Sequence, residues 1–431
     1  MGRPEAAAIS WRDRAAMGRP QAARTRAWGD WRSNLPVLPV LPVLMKSASA
    51  LIVGGGIVGA SVAWHLARLG WRDVVIADRA SGPGGGSSAR TAGVFHAGFS
   101  APLLVRLSLL SREKLARFRE DTGTEAGYAA TGHLRVAQSP DEMERLRVQL
   151  RTQRSEGVID VRELGADEVG RLNPALSPAG ITGGAFAPSD GVFLPMQVLA
   201  GYLAAAERQG VRMLWGTDVQ GFKRNSTRRI TAAVTSLGTM RVGAVVNATG
   251  AWAAPLADRA GVALPVLPLR RQVLRIAAGQ ALPPNLPPTS FASDGFFCRQ
   301  DDDRLLVMRP TPGIRGRPWD AAVEPAWIEE TAALARKRLP ALAGASLDVE
   351  GSWGGLYEIS PDHHPVLGAT AECENFFMAN GSSGHGAMHA PALGQLLAEL
   401  MTEGETPAMD VLPLRLARFS EGSANPGPVL P

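Results

Sequence analysis

Gly54, Gly56 and Gly59 stand in the spacing G-x-G-x-x-G, with apolar "ALIV" before them and "SVAWHLARLG" after. In such a turn the first glycine permits the tight bend and the second lets a pyrophosphate approach the backbone. The third lets the following helix pack against its strand. The helix start then offers free N–H groups and a positive dipole end to phosphates. A second apolar run, "DVVIAD", closes on Asp78, 19 residues past Gly59 (78 − 59), where an acid is placed to bind ribose hydroxyls. Strand, glycine turn, helix, second strand and acid in this order predict a dinucleotide site.

The elements around that unit add further polar chemistry. Residues 82–98, "GPGGGSSARTAGVFHAG", form a glycine-rich segment too long for a simple strand-to-helix loop. Ser87, Ser88 and Arg90 in it offer donors to pyrophosphate and polyol oxygens. The segment after it has helical spacing at Leu103, Leu107, Leu110 and Leu115. "VGAVVNATGAWA" at 242–253 reads as a buried strand ending in Ala248, Thr249 and Gly250. Residues 375–401, "NFFMANGSSGHGAMHAPALGQLLAELM", read as strand, glycine-rich turn and helix, with Pro391 tolerated in the first helical turn.

These pieces together resemble the D-amino-acid oxidase-like (DAO) superfamily of FAD-dependent oxidoreductases, nearest the sarcosine oxidase and dimethylglycine dehydrogenase branch. The matching stretches are "VGGGIVGASVAWHLARLG", "GSSARTAGV", "DGVFLPMQVLAGYLAAAERQGV", "VVNATGAWA", "GLYEISPDHHPVLG" and "NGSSGHGAMHAPALG", in family order over residues 47 to about 402. The resemblance implies an α/β fold: a Rossmann-like FAD-binding domain of the glutathione-reductase type with a second, mostly antiparallel β substrate domain. It implies FAD contacts at Gly54, Gly56, Gly59, Asp78, Arg79, Ser87, Ser88, Arg90, Val219, Ala248, Gly250, Gly381, Ser383, Gly384, His385 and Gly386. It implies hydride transfer from a C–H beside nitrogen or oxygen to the flavin. The helix opening at Gly384–Ala387 would place its positive end where the reduced ring gains negative charge.

The chain departs from its relatives in two respects. Covalent attachment in that branch uses a cysteine before "Y-x-x-x-P-D" or a histidine in "G-S-T-W-H". The matching residues here are Gly355 and Arg90, so noncovalent FAD is expected. Sarcosine-type enzymes hold the substrate carboxylate with an arginine and a lysine; His96 and Met388 occupy the corresponding positions. His96 binds an anion only if protonated. Tyr357, Arg309 and His385 complete the catalytic candidates, with Arg270 and Arg271 beside them on "LPLRRQVLRI". Alternation along "RLLVMR" puts Leu305, Val307 and Arg309 on one face, and Arg309 would bind a carboxylate if that face lines a cavity. His363 and His364 are adjacent and point oppositely on a strand, so no metal is expected.

Composition excludes other classes. Residues 1–46 carry seven Arg and one Lys against Glu5, Asp13 and Asp30, a net of +5. The whole chain is also +5, so the body is neutral and lacks a nucleic-acid footprint. Cys298 and Cys373 are too few for a disulfide framework, which suits a reducing cytoplasm. No apolar run is long enough to span a membrane. Residues 1–46, with "LPVLPVLPVL", read as a disordered or mis-assigned leader and 416–431 as a disordered tail. The FAD domain is expected at 47–104, 181–260 and 351–415, with helices at 57–69, 195–209 and 388–402. The substrate domain is expected at 105–180 and 261–350, with "SPDEMERLRVQLRTQRSEG" as a solvated helix. The leading function is oxidation of the C–N bond of an amino acid or of a secondary or N-methyl amine. The alternatives are a 2-hydroxy-acid dehydrogenase, prompted by His96, and a non-catalytic flavoprotein subunit or assembly factor. An electron-acceptor protein or partner subunit is a further expected partner.

Overall fold

The computed structural model describes residues 46–310 and 319–427; the leader, apart from Lys46, and residues 428–431 lie outside them. In chain order the strands are β1 (Ser47–Val53), β2 (Val74–Asp78), β3 (Val94–Phe95), β4 (His133–Ala137), β5 (Arg162–Gly165), β6 (Gly183–Ala187), β7 (Gly191–Val192), β8 (Arg212–Trp215), β9 (Val219–Arg224), β10 (Ile230–Thr235), β11 (Gly238–Asn247), β12 (Leu267–Ala277), β13 (Thr289–Phe291), β14 (Phe297–Asp301), β15 (Arg304–Met308), β16 (Leu347–Ile359), β17 (Val366–Thr370) and β18 (Cys373–Asn380). The α-helices are α1 (Ile57–Arg68), α2 (Pro102–Ala116), α3 (Phe118–Thr122), α4 (Pro140–Ser155), α5 (Ala166–Leu172), α6 (Pro195–Arg208), α7 (Ala253–Arg259), α8 (Pro325–Arg338) and α9 (Gly386–Glu403).

Two large sheets divide the work. The first runs β17-β18-β11-β1-β2-β8 and is extended by the β9–β10 hairpin on β11. Its β18, β11, β1, β2 and β8 are parallel neighbours. Strands of such a sheet are covered on both faces and read as continuous apolar runs, which explains "ALIV" and "VVIA". Leu51 and Ile52 are fully buried, and each such side chain contributes about 1.5–3 kcal/mol. Helices α1, α6 and α9 pack together on one face, with Trp64, Tyr202 and Leu393 in their shared core.

The second sheet runs β16-β12-β15-β14-β13-β4-β6-β5, antiparallel except for the β13–β4 pair. The stretches "LPLRRQVLRI" and, up to Met308, "RLLVMR" lie in it, in β12 and β15. Strand β6 pairs with β4, and β16 pairs with β12 along most of its length. Residues 183–187 and 347–359 therefore belong to the second sheet. The end of β16 is stitched to the turn before α9, where Ser383 N donates to the Glu358 carbonyl at 2.9 Å.

The expected tail is corrected up to residue 427. Leu416–Phe419 form a short 3-10 turn, and Arg418 is fully buried. Its guanidinium donates to both oxygens of Asp362, at 2.8 and 2.9 Å, and Asn425 N donates to the same carboxylate at 3.0 Å. The helix "SPDEMERLRVQL" is corrected too. Ser139 caps α4 by accepting from Glu142 N, and Met143, Leu146 and Leu150 bury one side of it. Only the opposite side, where Arg147 meets Glu144 and Glu163, is solvated.

Candidate active site

A cavity of about 1140 Å³ opens at the carboxyl ends of β1, β2 and β11 and runs beneath the second sheet. At its first end the chain makes a cradle. Gly54 has φ +108°, and a Cβ there would lie 2.3 Å from the Ala248 carbonyl oxygen, so no other residue fits. A Cβ on Gly59 would lie 2.0 Å from the Gly54 carbonyl oxygen; Gly59 itself packs the turn and does not line the cavity. Gly56 opens α1 and faces the cavity, with only the Ser88 hydroxyl near its Cβ direction. Ser88 Oγ accepts from Ile57 N at 3.0 Å, tying residues 82–98 to the helix start. Asp78 accepts from Gly55 N at 2.7 Å and Ala80 N at 2.8 Å, and its carboxylate borders the cavity. Arg79 stacks on Trp252 at 4.0 Å, and both border the cavity with Val219, Ala248 and Gly250.

The middle of the cavity is bordered by Ser87, Arg90, Gly355, Gly384, His385 and Gly386. Ser87 Oγ donates to the Leu356 carbonyl at 2.6 Å. Helix α9 begins at Gly386, so the N–H groups of its first turn, which have no intrahelical acceptor, face this space. Gly381 and Ser383 do not border it. Ser383, at φ +50°, accepts from Ser360 N and donates to the Gly381 carbonyl, so it shapes the turn that launches α9.

Residues 49–400 match the family of FAD dependent oxidoreductases designated DAO. The chain belongs to that family. Glycine oxidase of Geobacillus kaustophilus (strain HTA426) is 30% identical over 377 residues, covering 85% of this chain and 96% of that one. Mitochondrial dimethylglycine dehydrogenase of Rattus norvegicus is 26% identical over 95% of this chain, and the match takes in 48% of that protein. The chain thus spans about half the length of the dimethylglycine dehydrogenases it matches. The solved L-proline dehydrogenase of P. horikoshii has a TM-score of 0.80 at 26% identity, covering 89% of this chain and all of that one. FAD, the cofactor of the DAO family, fits these residues: a glycine cradle closed to side chains at Gly54 and Gly59, a helix N-terminus, an acid beyond it, and one continuous cavity leading on.

The substrate end of this DAO chain differs from the expected one. His96 borders the cavity, 5.4 Å ring to ring from His385 and 5.7 Å from His133. Burial, then the charges of His385, His133 and Arg135, hold it well below the usual histidine range. This disfavours the protonated form that anion binding by His96 would require. Burial and the nearby His363 and His364 likewise lower His385 to about 4. Arg309 is corrected as well. Leu305 and Val307 do share its face, but they pack in the core with Trp327 and Ile328 of α8. Arg309 Nε donates to Thr331 Oγ1 at 3.0 Å and the guanidinium pairs with Glu330, both on α8. Met308, on the other face, borders the cavity.

Tyr357 borders the cavity with the Arg271 guanidinium 5.6 Å above its ring. Arg270 turns away to Glu324. Sequence reasoning passed over Arg135, Gln149 and Glu358, which also border the cavity. Arg135 Nη1 lies where a Cβ on Gly98 would be, 2.2 Å from it, so the guanidinium is pressed on the backbone beside His96. It donates to Gln149 Oε1 at 2.9 Å and Gln153 Oε1 at 3.2 Å, both on α4. Period-two alternation along "GHLRVA" puts His133 and Arg135 on one face; that signal was available. Burial pushes the Glu358 carboxyl up to about 7, against the opposing N–H groups of Gly381 and Ser382.

Proposed function

We propose that this protein oxidises the C–N bond of an amino acid or of a secondary or N-methyl amine, with FAD bound noncovalently. One observation carries the reading: a single cavity joins the glycine cradle to a pocket of neutral histidines, a tyrosine and two arginines. When bound, FAD supplies the hydride acceptor for the C–H beside the amine nitrogen. The start of α1 and Ser88 would hold the pyrophosphate, and Asp78 the ribose. The start of α9 would stabilise negative charge on the ring through its N–H groups and dipole. Phe99 and Met388 border the pocket with apolar surface and exclude water from the reacting bond. Glu358, poised about 7, is placed to accept the proton that the substrate amine must lose before oxidation.

Noncovalent binding is supported by the two positions where related chains carry a covalent handle. Gly355 and Arg90 lie side by side at the cavity, a Cβ on Gly355 falling 3.1 Å from Arg90 Cβ, and neither residue carries a nucleophile. The division of labour we propose is a FAD-binding half on the first sheet and a substrate-binding half on the second. Cys298 and Cys373 are both buried and unpaired, which supports a reducing compartment such as the cytoplasm. Among the described residues no helix is long and apolar enough to cross a membrane.

The test is the visible flavin spectrum of the purified protein under anaerobic conditions, with amines, amino acids and 2-hydroxy acids added singly. Bleaching by an amino acid or N-methyl amine is expected. Bleaching only by a 2-hydroxy acid would replace the reading. That alternative leaned on His96, which the pocket holds neutral. A flavin bleached by nothing in the panel would favour a non-catalytic subunit. FAD should leave the protein on acid precipitation; a flavin that stays with the pellet would sink noncovalent binding.

A further inference from the structure

Charges buried in proteins are paired, because an unpaired one loses its hydration with nothing in return. The substrate pocket keeps two guanidinium groups that no carboxylate of the chain pairs among the described residues. Arg135 is 6% exposed and donates only to the neutral amides of Gln149 and Gln153, while its Nε has no partner. The acid that acts on it, Asp190, is turned to Ala97 N, which it accepts at 2.9 Å. Arg271 donates to the Arg270 carbonyl at 3.2 Å and otherwise rests over Tyr357, its neighbour Arg270 having taken Glu324. Glu358 is the acid that borders this part of the cavity, beside the start of α9, where its Oε1 lies 3.6 Å from the Cβ direction of Gly386. Arg145, an exposed α4 residue, also borders the cavity.

The two arginines enter from opposite sides. Arg135 stands on β4 and Arg271 on β12, with β13, β14 and β15 between them. Four strand spacings put their backbones about 19 Å apart. The floor between them holds the His96–His385 pair and Tyr357. A substrate whose acidic groups sit at one end reaches one arginine and leaves the other bare. One whose acidic groups flank the reacting nitrogen reaches both, with the side chains leaning inward, and lays the C–N bond over the floor.

We propose that the substrate is a secondary amine with a carboxylate on each side of its nitrogen, Arg135 holding one carboxylate and Arg271 the other. The assignment rests on the C–N oxidation reading above. It also says why position 388 is free to be methionine and position 96 a neutral histidine: β4 and β12 supply the cations instead.

Titration calorimetry of the FAD-loaded protein tests it without turnover. The probes are thiodiacetate, in which sulfur replaces the nitrogen between two carboxymethyl groups, and methylthioacetate, which has one carboxylate. Thiodiacetate should bind at least ~10-fold more tightly at low salt. Arg271→Gln should erase that advantage while methylthioacetate changes less than about twofold, and Arg271→Lys should keep part of it. Equal affinities in the unmodified protein, or an advantage that survives Arg271→Gln, would overturn the proposal. The two readings fail separately. Tight thiodiacetate binding without any amine that bleaches the flavin keeps the clamp and sinks the oxidation. Bleaching by monocarboxylic amines with no dicarboxylate preference does the reverse.

Discussion

The cradle of the first sheet and the roof of the second border one cavity but are built on opposite principles. The cradle is local. Gly54, Gly56, Gly59 and Asp78 come from one strand-turn-helix-strand unit of about thirty residues, and their spacing is dictated by backbone approach to a phosphate. The roof is assembled from afar. Arg135, Arg271 and Tyr357 stand on β4, β12 and β16, brought together by sheet register. A cradle built on backbone geometry tolerates almost no change in residue type. A roof built on side chains can move a charge from one strand to another and keep the same chemistry. That is how two cations, Arg135 on β4 and Arg271 on β12, come to border this cavity.

The sharpest way to break this comparison is at the cradle. Gly56→Ala should fold, because its Cβ would meet only the Ser88 hydroxyl, at 3.3 Å. The methyl group would occupy the phosphate's approach, so FAD affinity should fall on the order of 100-fold or more. Gly54→Ala should not give a folded protein, since its Cβ collides with the Ala248 backbone at a positive φ. Circular dichroism and flavin occupancy measured on both variants check this. A yellow, fully occupied Gly56→Ala protein would mean that the pyrophosphate lies elsewhere.

The next largest effect is a pH dependence from histidines buried on both sides of the comparison. His133 and His65 are lowered to about 3 and His385 to about 4 chiefly by burial, and His96 and His389 also lie far below the usual value. A lowered folded-state pKa means the unfolded chain binds protons first. The stability is therefore whole above about pH 6.5 and is lost as pH falls toward the folded values. Each histidine adds a slope of about 1.4 kcal/mol per pH unit in that window, so together they amount to several. Urea midpoints from pH 8 to pH 5 should fall steeply below ~6.5, the loss being partly offset by Glu358 and Asp190, which burial raises to about 7 and which stabilise the fold as they protonate. A flat profile to pH 5 would show that these histidines are not desolvated.

Recognition from sequence followed the same divide. Fold class, the parallel strands and the phosphate turn could be read because their signals are local and periodic. Element ends missed by one or two residues, as with α9, which starts at Gly386 rather than 388. What was missed depends on pairing partners. Alternation placed Leu305, Val307 and Arg309 on one face correctly, but which face meets the cavity is decided by α8, twenty residues on. The helix at 140–155 looked solvated because its charges are many; that Gln149 and Leu146 face the cavity follows from the β4–β6 pairing beneath it. Arg418 looked like tail because its partner, Asp362, lies 56 residues earlier.

That last pair should matter more than any surface charge. Burial alone would raise the Asp362 carboxyl, but the Arg418 hydrogen bonds and charge outweigh it and hold the group well below the usual carboxylate range. The stability it gives is present above the unfolded value near 4 and is lost only in strong acid. Asp362→Ala leaves Arg418 buried without a countercharge, holding only the carbonyls of Leu414, Arg415 and His364, which should cost about 3–5 kcal/mol. The loss read from urea midpoints should come without change in FAD affinity, since Asp362 does not border the cavity. A loss under 1 kcal/mol would show that residues 416–427 are not docked as described.

Arg309 supplies the smallest effect and the cleanest contrast with Arg135 and Arg271. Arg135 and Arg271 stand on strands of the second sheet and Arg309 directly follows its β15, yet Arg309 faces α8, where Glu330 and Thr331 take its donors. Glu330 is 67% exposed, so the ion pair is screened by water, and Arg309→Gln should cost no more than about 1 kcal/mol. Its KM for any amine that bleaches the flavin should stay within about twofold, because glutamine keeps a donor for Thr331 and no substrate group is lost. Arg271→Gln, in the same assay, should raise KM with kcat less affected, as expected when binding shared by ground and transition states is removed. If Arg309→Gln raised KM as much as Arg271→Gln, the cavity would have to lie on both faces of β15, which a strand with α8 packed against one side does not allow. Steady-state kinetics of these two variants side by side therefore decides which face of the roof carries the substrate.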